Sequence, residues 1–168
     1  MAICITTHYL TMENTTISIR TFKTDDLEAI AKLDQQAFHI DCYPSFFFRQ
    51  AFDVFGELFK VAENSENKIV GYILGALQAN QTDAWILSVI VDENSRRQRI
   101  AEQLIHTILD IFEHQQVTQV LLTVDPPNVG AQTLYQKLGF VEFYRDANYF
   151  GNHEERIVMK KTLKNQAT

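Results

Sequence analysis

The polarity pattern of the chain changes most sharply over residues 85–105, which read WILSVIVDENSRRQRIAEQLI. Residues 85–91 are rich in β-branched side chains and carry no charge before Asp92, the composition of a buried strand. Residues 92–95 form a polar turn. From Ile100 the apolar positions fall at Ile100, Leu104, Ile105, Ile108 and Phe112, the spacing of a helix with one face against a core. Between strand and helix lie Arg96, Arg97, Gln98 and Arg99. There a helix presents unpaired N–H groups and the positive end of its dipole, an arrangement suited to a phosphate.

The same reading extends to both sides. Residues 17–22 (ISIRTF) alternate as a half-buried strand does, and Thr24, Asp25 and Asp26 supply a cap and acidic first-turn charge for a helix. Its apolar positions are Leu27, Ile30, Ala31, Ala37 and Phe38, and residues 39–44 break it. Residues 45–55 predict a second helix in which Phe46, Phe47, Phe48, Phe52 and Phe55 cover more than one face. That helix reads as a short core element, or, with Tyr43, as part of the wall of an acceptor cleft. Strands follow at residues 58–63 and 68–77; Gly71 and Gly75 within the second mark a bulge, a packing contact or the close approach of a ligand.

After the central stretch, residues 119–124 (QVLLTV) predict a strand that Pro126 and Pro127 end. Asn128 can cap a helix running to Leu138, and Gly139 can end it. Residues 140–144 resume an extended pattern, and residues 156–163 form the last strand. A three-strand meander ahead of a strand–helix–strand crossover predicts an α/β fold: a mixed sheet with helices on both faces.

Composition narrows the chemistry. A length of 168 residues with 46% hydrophobic side chains suits one domain, placed at 17–168 after a flexible extension over 1–16 in which Met12 offers a second start. Fifteen basic against twenty-one acidic residues give a net charge of -6, which excludes nucleic-acid binding through a general positive field and leaves room for a local basic patch and a cationic substrate. Cys4 and Cys42 are too few for a disulfide framework, which points to a reducing, cytoplasmic setting. No segment predicts a membrane span, and His8, His39, His106, His114 and His153 lack the spacing of metal ligands, so neither a membrane nor a metal is expected.

Three separated pieces then coincide with one family: residues 85–105, NVGAQTLYQKLGF at 128–140, and VEFYRDANYF with the later RIVMKK. Together they resemble the GNAT superfamily of acyl-CoA-dependent N-acetyltransferases over about residues 17–163, closest to the branch that acetylates ribosomal-protein alanine and other protein N-termini. The resemblance implies a mostly antiparallel sheet of six to seven strands and acetyl-CoA as cofactor. The family's pyrophosphate loop, Q/R-x-x-G-x-G/A, becomes Arg96, Arg97, Gln98, Arg99, Ile100 and Ala101, with Arg99 in place of the usual Gly. It further implies that the pantetheine arm pairs with backbone groups of Val89, Ile90 and Val91 where the sheet splits, with Asn128 contacting that arm or capping its helix.

Tyr135 stands where the family places a general acid beside the sulfur. A phenol of reference pKa about 10 can protonate a thiolate titrating near 8.5 while staying neutral itself at pH 7. The Glu usual on the fifth strand is Thr123 here, and the fourth strand offers Ser88, so no base is assigned; Asp125, Glu142 and Glu154 lie nearby in sequence. His153 and Glu154 occupy the loop where acceptors approach in the superfamily, and read as surface residues. Deprotonation at pH 7 costs roughly 4.6 kcal/mol for a lysine amine but only about 1 kcal/mol for an α-amine, so a site without a strong base favours a protein N-terminus. The rivals are a small-molecule amine or polyamine as acceptor, and a catalytically weak acyl-CoA-binding or sensing protein; the chain is expected to act as a monomer or homodimer.

Overall fold

Alternating and apolar runs become seven strands of one sheet in the computed structural model, which describes residues 16–38 and 42–163. The strands are β1 (Ser18–Thr21), β2 (Phe59–Glu63), β3 (Ile69–Leu77), β4 (Asp83–Val91), β5 (Gln119–Val124), β6 (Val141–Asp146) and β7 (Arg156–Thr162). They lie in the order β1-β2-β3-β4-β5-β7-β6, antiparallel throughout except for the parallel β4–β5 joint. Helices α1 (Leu27–Phe38) and α2 (Ser45–Phe55) cover one face, while α3 (Ile100–His114) and α4 (Val129–Lys137) cover the other. The element order is the one the periodicity predicts. The expected extension over 1–16 lies, apart from Thr16, outside the described residues, as do residues 39–41 of the expected helix break.

α3 holds the larger core together. Its predicted stripe of Ile100, Leu104, Ile105, Ile108 and Phe112 is buried, joined by Leu109, and each such side chain contributes about 2 kcal/mol of burial. Gly75 lets this helix approach the sheet, because a Cβ there would stand 2.9 Å from Cζ of Phe112. The stripe of α1 differs from the expectation: Ile30, Leu33 and Asp34 are buried, whereas Ala37 and Phe38 are exposed and line cavities at the sheet's end. In α2, Phe48 packs in the core but Phe46 is 64% exposed, so the aromatic run serves partly as core and partly as surface.

Two irregularities prepare a site. β4 and β5 pair only from Asp83–Gln119 to Ile86–Leu122, although β4 continues against β3 to Val91 and β5 against β7 to Val124. The sheet therefore opens into a V beyond Ile86. At the same place β4 bulges: Leu74 pairs with Ser88 and Gly75 with Ile86, leaving Leu87 unpaired. An extra residue reverses the alternation of faces. Ala84 and Ile86 join the core beneath α3, and past the bulge that core is met by Val89 and Val91 instead, while Ile90 turns to the core beneath α1 and α2. Among the described residues no helix is long and apolar enough to cross a membrane.

Candidate active site

The V holds a cavity of about 700 Å³. Val89, Ile90 and Val91 form its β4 wall; Arg96, Arg97, Arg99, Ile100 and Ala101 form one end; Asn128 and Tyr135 of the α4 segment close it. Every residue that the resemblance assigned to the cofactor or to acid catalysis lines this cavity except Gln98, which is exposed outside it.

The turn into α3 is shaped for an anion. Asp92 accepts a hydrogen bond from the Asn94 N–H at 2.9 Å, closing the turn after β4. Arg97 and Arg99 then take φ of 65° and 60°, left-handed positions that curl the backbone into the start of α3. Gln103 N–H to the Arg99 carbonyl, 3.0 Å, begins the helical ladder, so the Ile100 and Ala101 amides before it have no helical acceptor. Arg96 is engaged by Glu93 at 3.3 Å. A pyrophosphate with a long thin arm fits these features: free amides, flanking guanidinium groups and an unpaired strand edge.

Arg99 thus follows the left-handed path that a glycine would take, with its side chain exposed. That conformation costs a non-glycine residue about 1 kcal/mol. Arg99→Gly is expected to keep coenzyme A affinity within about threefold, because the backbone rather than the guanidinium shapes the cradle. Titration calorimetry checks this; a loss beyond about tenfold means that the guanidinium itself holds phosphate.

Asn128 caps α4, its Oδ1 accepting from the Ala131 N–H at 3.1 Å, which leaves its amide nitrogen for the cavity. Tyr135 is 7% exposed, packs edge-on against Phe140 at 6.1 Å, and burial pushes its phenol up to about 12. It also lines a second cavity of about 640 Å³, bordered by Phe38, Tyr43, Ser88, Thr123 and Phe150. The two cavities meet at Val89, Asn128 and Tyr135.

Of the carboxylates considered from the sequence, Asp125 and Glu154 line the second cavity, flanking Arg156 at 3.9 and 3.2 Å. Glu142 lies on the exposed edge strand β6, held by Arg145 at 2.8 Å. His153 is exposed, in a loop fixed by its N–H to Asn148 Oδ1 at 2.8 Å. Among the described residues no group of acids, histidines and cysteines is arranged to hold a metal ion.

Sequence reasoning missed Asp34 and Tyr72. Asp34 is fully buried, accepting the Tyr43 N–H at 2.6 Å and the Tyr72 hydroxyl, which also meets Ser88 Oγ at 3.0 Å. Burial pushes the Asp34 carboxyl up, opposed by those two hydrogen bonds. Burial likewise pushes the Tyr72 phenol up, assisted by the Asp34 charge. One signal was present: Asp34 follows Ile30 by one helical turn, a carboxylate on the apolar stripe.

Comparison with known proteins places this geometry. A sequence model of the Acetyltransferase (GNAT) family matches residues 24–140. The N-terminal acetyltransferase B complex catalytic subunit NAA20 of Arabidopsis thaliana is 28% identical over 154 residues, covering 87% of this chain and 85% of that protein. An N-alpha-acetyltransferase of Saccharolobus solfataricus is 25% identical over 157 residues, covering 87% and 93%. Among solved structures, Ard1 from Thermoplasma volcanium superposes with a TM-score of 0.82 at 26% identity, covering 88% of this chain and 98% of that one. Naa20 from Chaetomium thermophilum, in complex with a bisubstrate analogue, gives 0.79 at 26% identity, covering 88% and 87%.

Proposed function

We propose that this chain, which belongs to the GNAT acetyltransferase family, moves the acetyl group of acetyl-CoA onto the α-amine of a protein N-terminus by direct attack. It is an acyl-CoA-dependent N-acetyltransferase. Bound acetyl-CoA supplies an activated acyl thioester. The observation that carries the proposal is the junction of two cavities at Tyr135, one edged by basic residues and free amides, the other by aromatic and polar side chains.

In this reading the α3 amides and Arg97 hold the pyrophosphate, the backbone of Arg99 shaping the cradle, and the edge of β4 at Val89, Ile90 and Val91 pairs with the pantetheine arm. Tyr135 donates its O–H toward the departing sulfur. Phe38, Tyr43 and Phe150 receive the acceptor and keep water from the junction. Neither Thr123 nor Ser88 is a base strong enough to strip a lysine ammonium, and an α-amine needs far less help at pH 7. Relatives named as N-terminal and N-alpha acetyltransferases support the same acceptor.

The test is a panel of peptides, polyamines and small amines incubated with protein and acetyl-CoA and read by mass spectrometry. One added acetyl group on peptide α-amines is the expected result. Tight acetyl-CoA binding with no transfer to any amine would contradict it.

A further inference from the structure

Three buried polar side chains lead from the acceptor cavity into the core. Ser88, 8% exposed, lines that cavity; its Oγ lies 3.0 Å from the Tyr72 hydroxyl, which in turn contacts Asp34. In a sheet face otherwise packed with Phe59, Val61 and Leu74 this polar path is costly, and every link is satisfied by the next. We infer that Ser88, Tyr72 and Asp34 form a proton relay that accepts the proton of the acceptor amine, Ser88 touching the amine and Asp34 holding the proton. The inference rests on the transferase reading above.

The direction of the chain follows from its buried end. An ionised carboxylate only accepts hydrogen bonds, so Tyr72 donates to Asp34 and must accept from Ser88. Ser88 therefore turns oxygen lone pairs, not its proton, toward the cavity, the polarity an ammonium group needs. When the amine gives a proton to Ser88 Oγ, Ser88 passes its own to Tyr72 and Tyr72 passes its own to Asp34. Both hydroxyls stay neutral with their hydrogen bonds reversed, Asp34 becomes a neutral acid, and the amine gains a free lone pair. Reversal of the same steps returns the proton to solvent after product leaves.

Two features suit the task. The bulge at Leu87 turns Ser88 to the Tyr72 face, so the device depends on the same irregularity that accompanies the opening of the sheet. Burial raises Asp34, bringing its proton affinity nearer that of an amine. Among the described residues the titratable groups facing Asp34 are Tyr72 from β3 and Tyr43 ahead of α2, whose phenol is raised by burial and then by the Asp34 charge. Neither ionises near neutral pH.

Steady-state kinetics from about pH 6.5 to 9.5, on whichever panel amine the wild type acetylates best, separate a relay from a packing role. Ser88→Ala is expected to lower kcat/KM about tenfold or more at pH 7, with the deficit closing as the amine loses its proton unaided at high pH. Acetyl-CoA affinity should not change, and Ser88→Thr, which keeps the hydroxyl, should recover most of the loss. Tyr72→Phe should show the same pH signature; because it strips a buried partner from Asp34, Ser88→Ala is the deciding variant. Equal rates for Ser88→Ala and wild type, or a deficit constant with pH, overturn the relay alone. Absence of wild-type transfer to every amine overturns the transferase reading, and the relay with it.

Discussion

Tyr135→Phe is expected to lower kcat for acetyl transfer by about 100-fold while leaving coenzyme A affinity and folding intact. The ring supplies the packing, edge-on to Phe140 and 7% exposed, and Phe preserves it. Tyr135 lines both cavities, and the substitution removes only its hydroxyl. With its phenol pushed up to about 12, Tyr135 is protonated throughout the neutral range, so it is always ready to donate. Complete transfer to a thiolate titrating near 8.5 would cost about 5 kcal/mol, yet desolvation in the same cleft raises the thiol as well and narrows that gap. In the proposed reaction Tyr135 therefore hydrogen-bonds the developing charge on sulfur, and ionisation of Tyr135 should impose no loss of activity up to about pH 10. Initial rates and calorimetry check both points; a variant with wild-type turnover would remove Tyr135 from the chemistry.

Ala101→Glu is expected to weaken coenzyme A binding by about 100-fold or more while leaving the melting temperature unchanged or raised. Ala101 lines the cavity in the first turn of α3, beside amides with no helical acceptor. An acidic side chain in a first turn complements the helix dipole, which favours the fold. Toward a pyrophosphate the same charge is repulsive, by roughly 3–4 kcal/mol at about 5 Å in a medium of effective dielectric constant near 20. Each 1.4 kcal/mol is about tenfold in affinity. Opposite signs for stability and binding separate this effect from misfolding. Equal affinity would place the pyrophosphate elsewhere.

Much of the architecture was legible in the sequence, for identifiable reasons. The stripe from Ile100 to Phe112 sits on a helical period that admits one face, and the observed helix starts at Ile100. Pro126, Pro127 and Gly139 punctuate β5 and α4 where the structure ends them. The cleft was legible only through resemblance, because a run such as WILSVIV does not say how far two parallel strands stay paired. Its bulge was hidden for a related reason. With apolar residues on both faces of β4, a reversal of alternation leaves no trace in polarity, so the facing of Ser88 could not be read. Asp34 and Tyr72 meet across 38 positions, a pairing that helical and strand periods do not encode. Arg99 was visible as a departure from glycine, and its left-handed φ explains how the departure is accommodated.

Two peptides decide the acceptor: one with a free N-terminus and no lysine, the other identical but N-terminally blocked and carrying one lysine. Acetylated side by side at pH 7 and followed by mass spectrometry, the free N-terminus should react at least about tenfold faster, since far more of an α-amine than of a lysine amine is neutral at that pH. Equal rates, or preference for the lysine peptide, would contradict an enzyme built for protein N-termini.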